Sequence, residues 1–128
     1  MEWQFRGDKP IYSQLVEKIQ LAIVSGELPP GSKLPPVREL AADAGVNPNT
    51  MQRAMQELER EGMVFALRTA GRYVTTERSV IESVKRSLAK EHIAAFLKAM
   101  GALGYDRPGI IGLLKEEKEG IADADSGM

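Results

Sequence analysis

The 128-residue sequence has no cysteine and a single histidine, His92. The lack of thiols excludes disulfides, thiolate metal sites and cysteine nucleophiles, and one imidazole leaves no histidine-rich metal cluster and no obvious histidine-centred triad. No run approaches the roughly 20 apolar residues that a membrane-spanning helix needs, and the first ten residues do not have the pattern of a signal peptide. These absences predict a cytoplasmic protein that is not an enzyme, has no metal or cofactor and does not act at a membrane.

An excess of basic charge is also lacking, because 17 Lys and Arg residues oppose 18 Asp and Glu residues and the net charge is −1. This balance differs from the basic footprint of many DNA-binding domains. The distribution is more informative: between Ala44 and Gln56 there is one arginine and no acidic residue, and Glu57, Glu59 and Glu61 follow directly. A surface that approaches phosphates needs only its own patch free of carboxylates. The net charge therefore neither supports nor opposes a nucleic-acid partner.

Proline and glycine divide the first part of the chain into predicted helices. The first begins at Pro10 and ends at Gly26, and its buried stripe repeats every four residues, at Ile11, Leu15, Ile19 and Ile23. A rigid Leu28–Gly31 loop follows, and a short second helix begins near Pro36 and ends at Gly45.

A third helix has Asn47 as its N-cap and Pro48 as its first residue, and it ends at Gly62. Two helices joined by so short a turn must cross steeply, as in a helix-turn-helix. Strands are predicted at 63–67 and 72–76 around the turn Arg68–Gly71. Three helices followed by a hairpin predict a mainly helical fold with a small β-wing, a winged helix-turn-helix domain over residues 1–76.

Residues 77–120 form a predicted two-helix appendage, and residues 121–128 a disordered tail. One long helix covers Ser79 to about Leu103, and Asp106 caps a second. About forty ordered positions are too few for an independent core, so the apolar faces must be covered by the DNA-binding domain, by a second copy of the chain or by both. A twofold-symmetric homodimer is the simplest of these solutions. The predicted dimer-interface residues are Ile81, Val84, Leu88, Phe96, Met100, Ile111 and Leu114.

The third helix has an outward face opposite its apolar stripe. At 100° per residue, Asn49, Arg53 and Gln56 point away from Met51, Ala54, Met55 and Leu58, and Gln52 lies on the flank. Amide and guanidinium groups form paired hydrogen bonds to adenine and guanine in the major groove, while Asn47 and Thr50 at the helix start suit phosphate oxygens. The alternative is a face that only solvates the helix, but the crossing geometry and the absence of acids favour DNA readout.

Further candidates lie beside this face. Arg38, one turn into the second helix, could reach a base or phosphate at the groove edge, and Lys33 lies just before that helix. Arg38 could equally pair with Glu39 or Asp43. Arg68, Arg72 and Tyr73 flank the hairpin turn, where a wing could press on the DNA backbone or enter the minor groove; a plain charged turn is the alternative there.

Several spaced motifs resemble the N-terminal winged-helix domain of the GntR family of bacterial transcriptional regulators. They are PIYSQL (10–15), GELPPGSKLPPVRELA (26–41), GVNPNT (45–50), ELEREGMV (57–64) and GRYV (71–74). The short two-helix tail and the Asn-Pro-Asn-Thr opening of the third helix resemble the YtrA-type branch.

The resemblance implies a homodimer that binds a palindromic operator in double-stranded DNA, usually as a repressor, and it suggests control of transporter genes with release by a small effector. It assigns Arg38 to a base or phosphate, Thr50 to the backbone and Gly71 to the wing tip. Pro48 replaces an arginine that reads a base in many members, and Thr69 replaces the first glycine of the usual wing. A winged helix reused as a protein-interaction module, without DNA binding, remains the alternative function.

Overall fold

The computed structural model describes residues 1–117. Within them lie five helices and one antiparallel two-stranded sheet: α1 (Ile11–Val24), α2 (Val37–Ala44), α3 (Pro48–Arg60), β1 (Val64–Leu67), β2 (Gly71–Val74), α4 (Arg78–Ala102) and α5 (Arg107–Glu116). The predicted mainly helical winged-helix fold is confirmed. The end of the predicted 77–120 appendage, from residue 118, and the predicted disordered tail 121–128 lie outside the described residues.

The turn between α2 and α3 is short because its residues end one helix and cap the next. Gly45 has φ +72°, a left-handed conformation that glycine adopts without a steric penalty. Asn47 Oδ1 accepts the backbone N–H of Asn49 at 2.7 Å, and Pro48, the first helical residue, lacks an N–H that would otherwise stay unpaired. One helix therefore ends and the next begins within three residues, which sets the crossing typical of a helix-turn-helix.

The core lies among α1, α2, α3 and the hairpin. Its most deeply buried side chains are Leu15, Ile19, Ile23, Met51, Met55, Leu58, Met63, Val64 and Val74. Removal of this apolar surface from water holds the three helices together. Because the apolar stripe of α3 is buried in this core, the opposite side of the helix must face solvent.

The wing also pairs with the segment that precedes α2. β1 and β2 pair from Val64 opposite Val74 to Leu67 opposite Gly71, one or two residues shorter at their outer ends than predicted. The loop before α2 lies against the other edge of β2, where Leu34 N–H donates to Arg72 O and Val74 N–H donates to Ser32 O, both at 2.9 Å. This pairing fixes the wing against the helix-turn-helix.

The segment that precedes α1 also contacts the domain. Met1, Trp3 and Phe5 are partly buried against the core, and Trp3 Nε1 donates to Asp43 Oδ2 at 2.7 Å. The Gln14 side chain accepts from Arg6 N–H at 2.8 Å and donates to Arg6 O at 2.7 Å. The domain therefore begins well before Pro10.

The chain divides into two compact units, Met1–Ser87 and a second that begins at Leu88. The first unit includes the beginning of α4, where Ile81 and Val84 pack against the winged-helix core; the division after residue 76 assigned this segment to the appendage. In the second unit, Asp106 caps α5 as predicted, its Oδ1 accepting Gly109 N–H at 2.9 Å. None of the helices in residues 1–117 is long and apolar enough to cross a membrane.

Candidate nucleic-acid interface

The outer face of α3 is exposed, as its periodicity predicts. Asn49, Arg53 and Gln56 lie on the surface, and Thr50 and Gln52 are half-buried at its edge. The opposite stripe of Met51, Ala54, Met55 and Leu58 is fully buried. The helix thus presents amides, a hydroxyl and a guanidinium to solvent from a rigid support, and these groups can bond to base edges and phosphates.

The acids that follow this face are each engaged by a neighbour. Glu57 bonds to Arg60 through both carboxylate oxygens, with Arg60 Nε at 3.2 Å, and this hydrogen bond is the main cause that raises the pKa of Arg60. Glu59 Oε1 accepts from Arg72 Nε at 2.9 Å. These pairs partly neutralise the carboxylates nearest to the polar face, which limits their repulsion of phosphate.

Glu61, the third of these acids, is partly buried at the end of α3. Burial raises its pKa, and Gln20 Nε2, which donates to its Oε1 at 2.8 Å, opposes that increase by stabilising the carboxylate. The result is a carboxyl group that holds its proton to a higher pH than an exposed glutamate does.

Arg53 lies on the ring of Tyr12, near the start of α1. Its Cζ is 3.6 Å from the ring centroid, the distance of a close cation–π stack. Pro10, Ile11, Tyr12, Asn49, Thr50 and Arg53 line a shallow depression of about 420 Å³. Tyr12 is absent from the predicted site residues because its contact with Arg53 joins residues 41 positions apart.

A second depression brings together four predicted site residues from three parts of the chain. Lys33, Gln52, Gly71 and Arg72 lie around an open groove of about 440 Å³ between the loop before α2, α3 and the wing. Gly71 has φ +102°, and a Cβ atom there would lie 3.2 Å from Lys33 Cε. The position therefore favours glycine both for its backbone conformation and for its close lysine neighbour.

The remaining predicted residues are placed separately. Arg38 and Arg68 are exposed, on α2 and at the hairpin turn. The alternative in which Arg38 pairs with Glu39 or Asp43 is not seen among residues 1–117, where Asp43 instead accepts from Trp3. Asn47 uses its side-chain oxygen as the helix cap, so only its amide nitrogen remains as a donor for phosphate.

Two features went unrecognised in the sequence. The alternation of Met1, Trp3 and Phe5 with polar residues is the period-2 pattern of a half-buried extended segment, and it signals the packed N-terminus. The contact between Arg72 and Glu59 has no local signal, since it joins residues of different elements. Among residues 1–117, no group of three or more histidines and acids is placed to hold a metal ion.

Two helices joined by a three-residue turn, a polar outward face on the second and the hairpin that follows define a winged helix-turn-helix domain of the DNA-binding class. A family model described as bacterial regulatory proteins, gntR family, matches residues 11–74. The chain belongs to the GntR family.

Two curated relatives come from Bacillus subtilis. The HTH-type transcriptional regulator YhcF is 38% identical over 120 residues, which cover 94% of this chain and 99% of YhcF. The HTH-type transcriptional repressor YtrA is 38% identical over 89 residues, 69% of this chain and 68% of YtrA. The resemblance to the YtrA-type branch is confirmed.

Solved structures agree with the fold. A GntR family transcriptional regulator from Listeria monocytogenes superposes with a TM-score of 0.81 at 38% identity, covering 89% of this chain and all of that one. The DNA-binding domain of AraR in complex with operator ORX1 has a TM-score of 0.54 at 29% identity, covering 59% of this chain and 96% of that one.

The family assignment establishes the general function. The chain is a DNA-binding transcriptional regulator and not an enzyme. Of the two functions that the sequence left open, DNA binding is therefore favoured over a protein-interaction module without it.

Proposed function

We propose that the chain is a homodimeric repressor that reads a palindromic operator in the bacterial cytoplasm, where its DNA partner resides. The observation that carries this proposal is the exposed outward face of α3 between Asn49 and Gln56, a stretch without an acidic residue. A symmetric pair of such faces, separated by roughly 34 Å, fits two half-sites one turn of duplex apart.

The proposed DNA contacts divide by chemistry. Asn49, Gln52, Arg53 and Gln56 face the base edges of the major groove, because amide and guanidinium groups match the donor and acceptor pattern there. The backbone and groove-edge contacts belong to Lys33, Arg38, Asn47, Thr50, Arg68, Gly71 and Arg72. Since Pro48 has no donor, base recognition depends on the four side chains of the first group, with Arg38 as an additional reader at the groove edge.

The homodimer is proposed from the second compact unit, which has little core of its own. Helix α4 has no buried residue, and Ile110 is the buried residue of α5. Large apolar side chains remain exposed there, at Ile93, Phe96, Leu103, Tyr105, Ile111, Leu113 and Leu114. Apolar surface of this extent typically marks an interface, and a second copy of the same unit supplies a matching face through twofold symmetry.

The proposed interface differs in part from the dimer-interface residues predicted from the sequence. Leu88, Phe96, Met100, Ile111 and Leu114 stay in it, and Ile93, Leu103, Tyr105 and Leu113 join it. Ile81 and Val84 are in contact with the winged-helix core, so their role in the dimer is secondary. Control of transporter genes and release by a small effector rest on the family resemblance and complete the proposal.

Selection of duplexes from a random-sequence DNA library tests the proposal. We expect the full chain to enrich an inverted repeat whose half-site centres lie about 10 base pairs apart, to bind it as two chains per duplex, and to lose affinity steeply as salt rises. Enrichment of single half-sites with one chain bound contradicts the dimer. Binding without sequence preference contradicts the readout by α3.

A further inference from the structure

The guanidinium of Arg53 packs against the ring of Tyr12. Arg53 has an acid one helical turn away, Glu57, which is the usual partner for such an arginine. Glu57 is instead bonded to Arg60 through both oxygens. Arg53 therefore lies on the Tyr12 ring, and among residues 1–117 its guanidinium forms no salt bridge.

The type of contact matters for recognition. A salt bridge takes up the N–H groups of a guanidinium, which lie in its plane. A stack uses the face of the guanidinium and leaves its N–H groups for another acceptor. The ring also restricts the rotamers of a long side chain, so less conformational entropy is lost when the arginine binds.

The surroundings of the stack suit an electron-rich ligand. The depression beside it is lined by Asn49, Thr50, Tyr12, Arg53, Pro10 and Ile11, a set without a carboxylate. Asn49 and Arg53 are exposed on the same outward face of α3. An acceptor on a base edge can therefore approach Arg53 from this depression without contacting a carboxylate of its lining.

We propose that Tyr12 is a specificity-positioning residue: its ring holds Arg53 in the orientation that reads one base pair of each half-site. This inference rests on the proposed role of Arg53 as a base-reading side chain. Tyr12 itself acts through Arg53 and needs no base contact of its own.

A double-mutant cycle on the duplex selected by the wild-type chain tests the proposal. The readout is the ratio of Kd values for the selected duplex and for duplexes changed at one base pair. We expect Arg53→Ala to reduce discrimination at one base pair by about 10-fold. Tyr12→Leu should reduce it at the same base pair by about threefold, and Tyr12→Phe, which keeps the ring, should leave it unchanged.

The combination of variants separates positioning from a structural role. In the Arg53→Ala background, Tyr12→Leu should have no further effect on that base pair, whereas a general loss of domain stability lowers affinity for all duplexes alike. Tyr12→Gln, checked by circular dichroism, replaces Tyr12→Leu if the latter fails to fold.

Three results overturn the inference. They are additive effects of the two substitutions, a uniform loss of affinity with Tyr12→Leu, and full discrimination retained after the ring is removed. The last of these, together with a normal Arg53→Ala effect, refutes the role of Tyr12 alone. A wild-type chain that selects no duplex refutes the proposed function as well.

Discussion

Arg72 Nε donates to Glu59 Oε1 at 2.9 Å and thereby joins β2 of the wing to α3. The two side chains keep 22% and 30% of their surface exposed, so water only partly screens their attraction. The pair fixes the position of the wing relative to the outward face of α3. The pair also links Glu59, one of the acids that follow this face in the sequence, to Arg72, one of the predicted DNA-contacting arginines.

We expect Glu59→Gln and Arg72→Met each to lower the free energy of unfolding by about 1 kcal/mol, the upper range for a partly exposed ion pair. The exchanged pair Glu59→Arg with Arg72→Glu should recover part of the loss. Urea denaturation of the two single variants and of the Glu59→Gln, Arg72→Met double variant measures the coupling. Strictly additive single effects would mean that the two side chains do not stabilise each other.

Asp43→Ala should detach the N-terminal segment, because it removes the acceptor of the Trp3 indole N–H. The expected loss is about 1 kcal/mol of unfolding free energy, with a red shift of the fluorescence of Trp3, the single tryptophan. Asp43→Asn is the matched control, since its amide oxygen can still accept the bond. An unchanged emission spectrum in Asp43→Ala would show that the segment is held by its apolar contacts alone.

Phe96→Glu should convert the proposed homodimer to a monomer, because a buried unpaired charge in the seam is costly. Phe96 is 41% exposed in the single chain. Ala94→Glu introduces the same charge about 160° round the helix and should leave the dimer intact. Sedimentation analysis distinguishes the two species, and a monomeric wild-type chain would remove the proposed interface altogether.

Glu61→Gln should change how stability depends on pH. Burial raises the pKa of Glu61 in the folded chain, so folding takes up a proton in the interval above the ordinary glutamate pKa of about 4. The stability contribution of this group is therefore greatest at low pH and falls as pH rises through the interval.

Because the variant lacks this titration, its stability relative to wild type should be higher at pH 7 than at pH 4. Its amide oxygen can still accept from Gln20. Urea denaturation at both pH values measures the change, with Glu91→Gln on the exposed surface of α4 as the control. If the unfolding free energy of Glu61→Gln relative to wild type is instead higher at pH 4 than at pH 7, the predicted direction of the effect is wrong.

The helices and the outward face of α3 were predictable because their signals are local. Gly45 and Pro48 each determine a helix boundary through their own backbone chemistry. The periodicity that buries Met51 and Met55 also directs Asn49 and Arg53 outward. Sequence spacing alone is sufficient for such features.

The arrangement around that face depends on contacts between distant residues, which spacing does not encode. The stack of Arg53 on Tyr12 and the pair of Arg72 with Glu59 each require the tertiary fold. The same holds for Ile81, whose position in a long amphipathic helix predicts a buried side but not the surface that covers it. It packs on the winged-helix core of its own chain.

Methylation protection of guanine N7 atoms on the selected duplex tests the central claim most directly, because these atoms line the major groove. If two copies of α3 enter the groove, we expect two protected clusters about 10 base pairs apart on one face of the duplex, both lost in an Asn49→Ala, Gln52→Ala double variant that still folds. A single cluster, or two clusters that persist in this variant, would contradict the account.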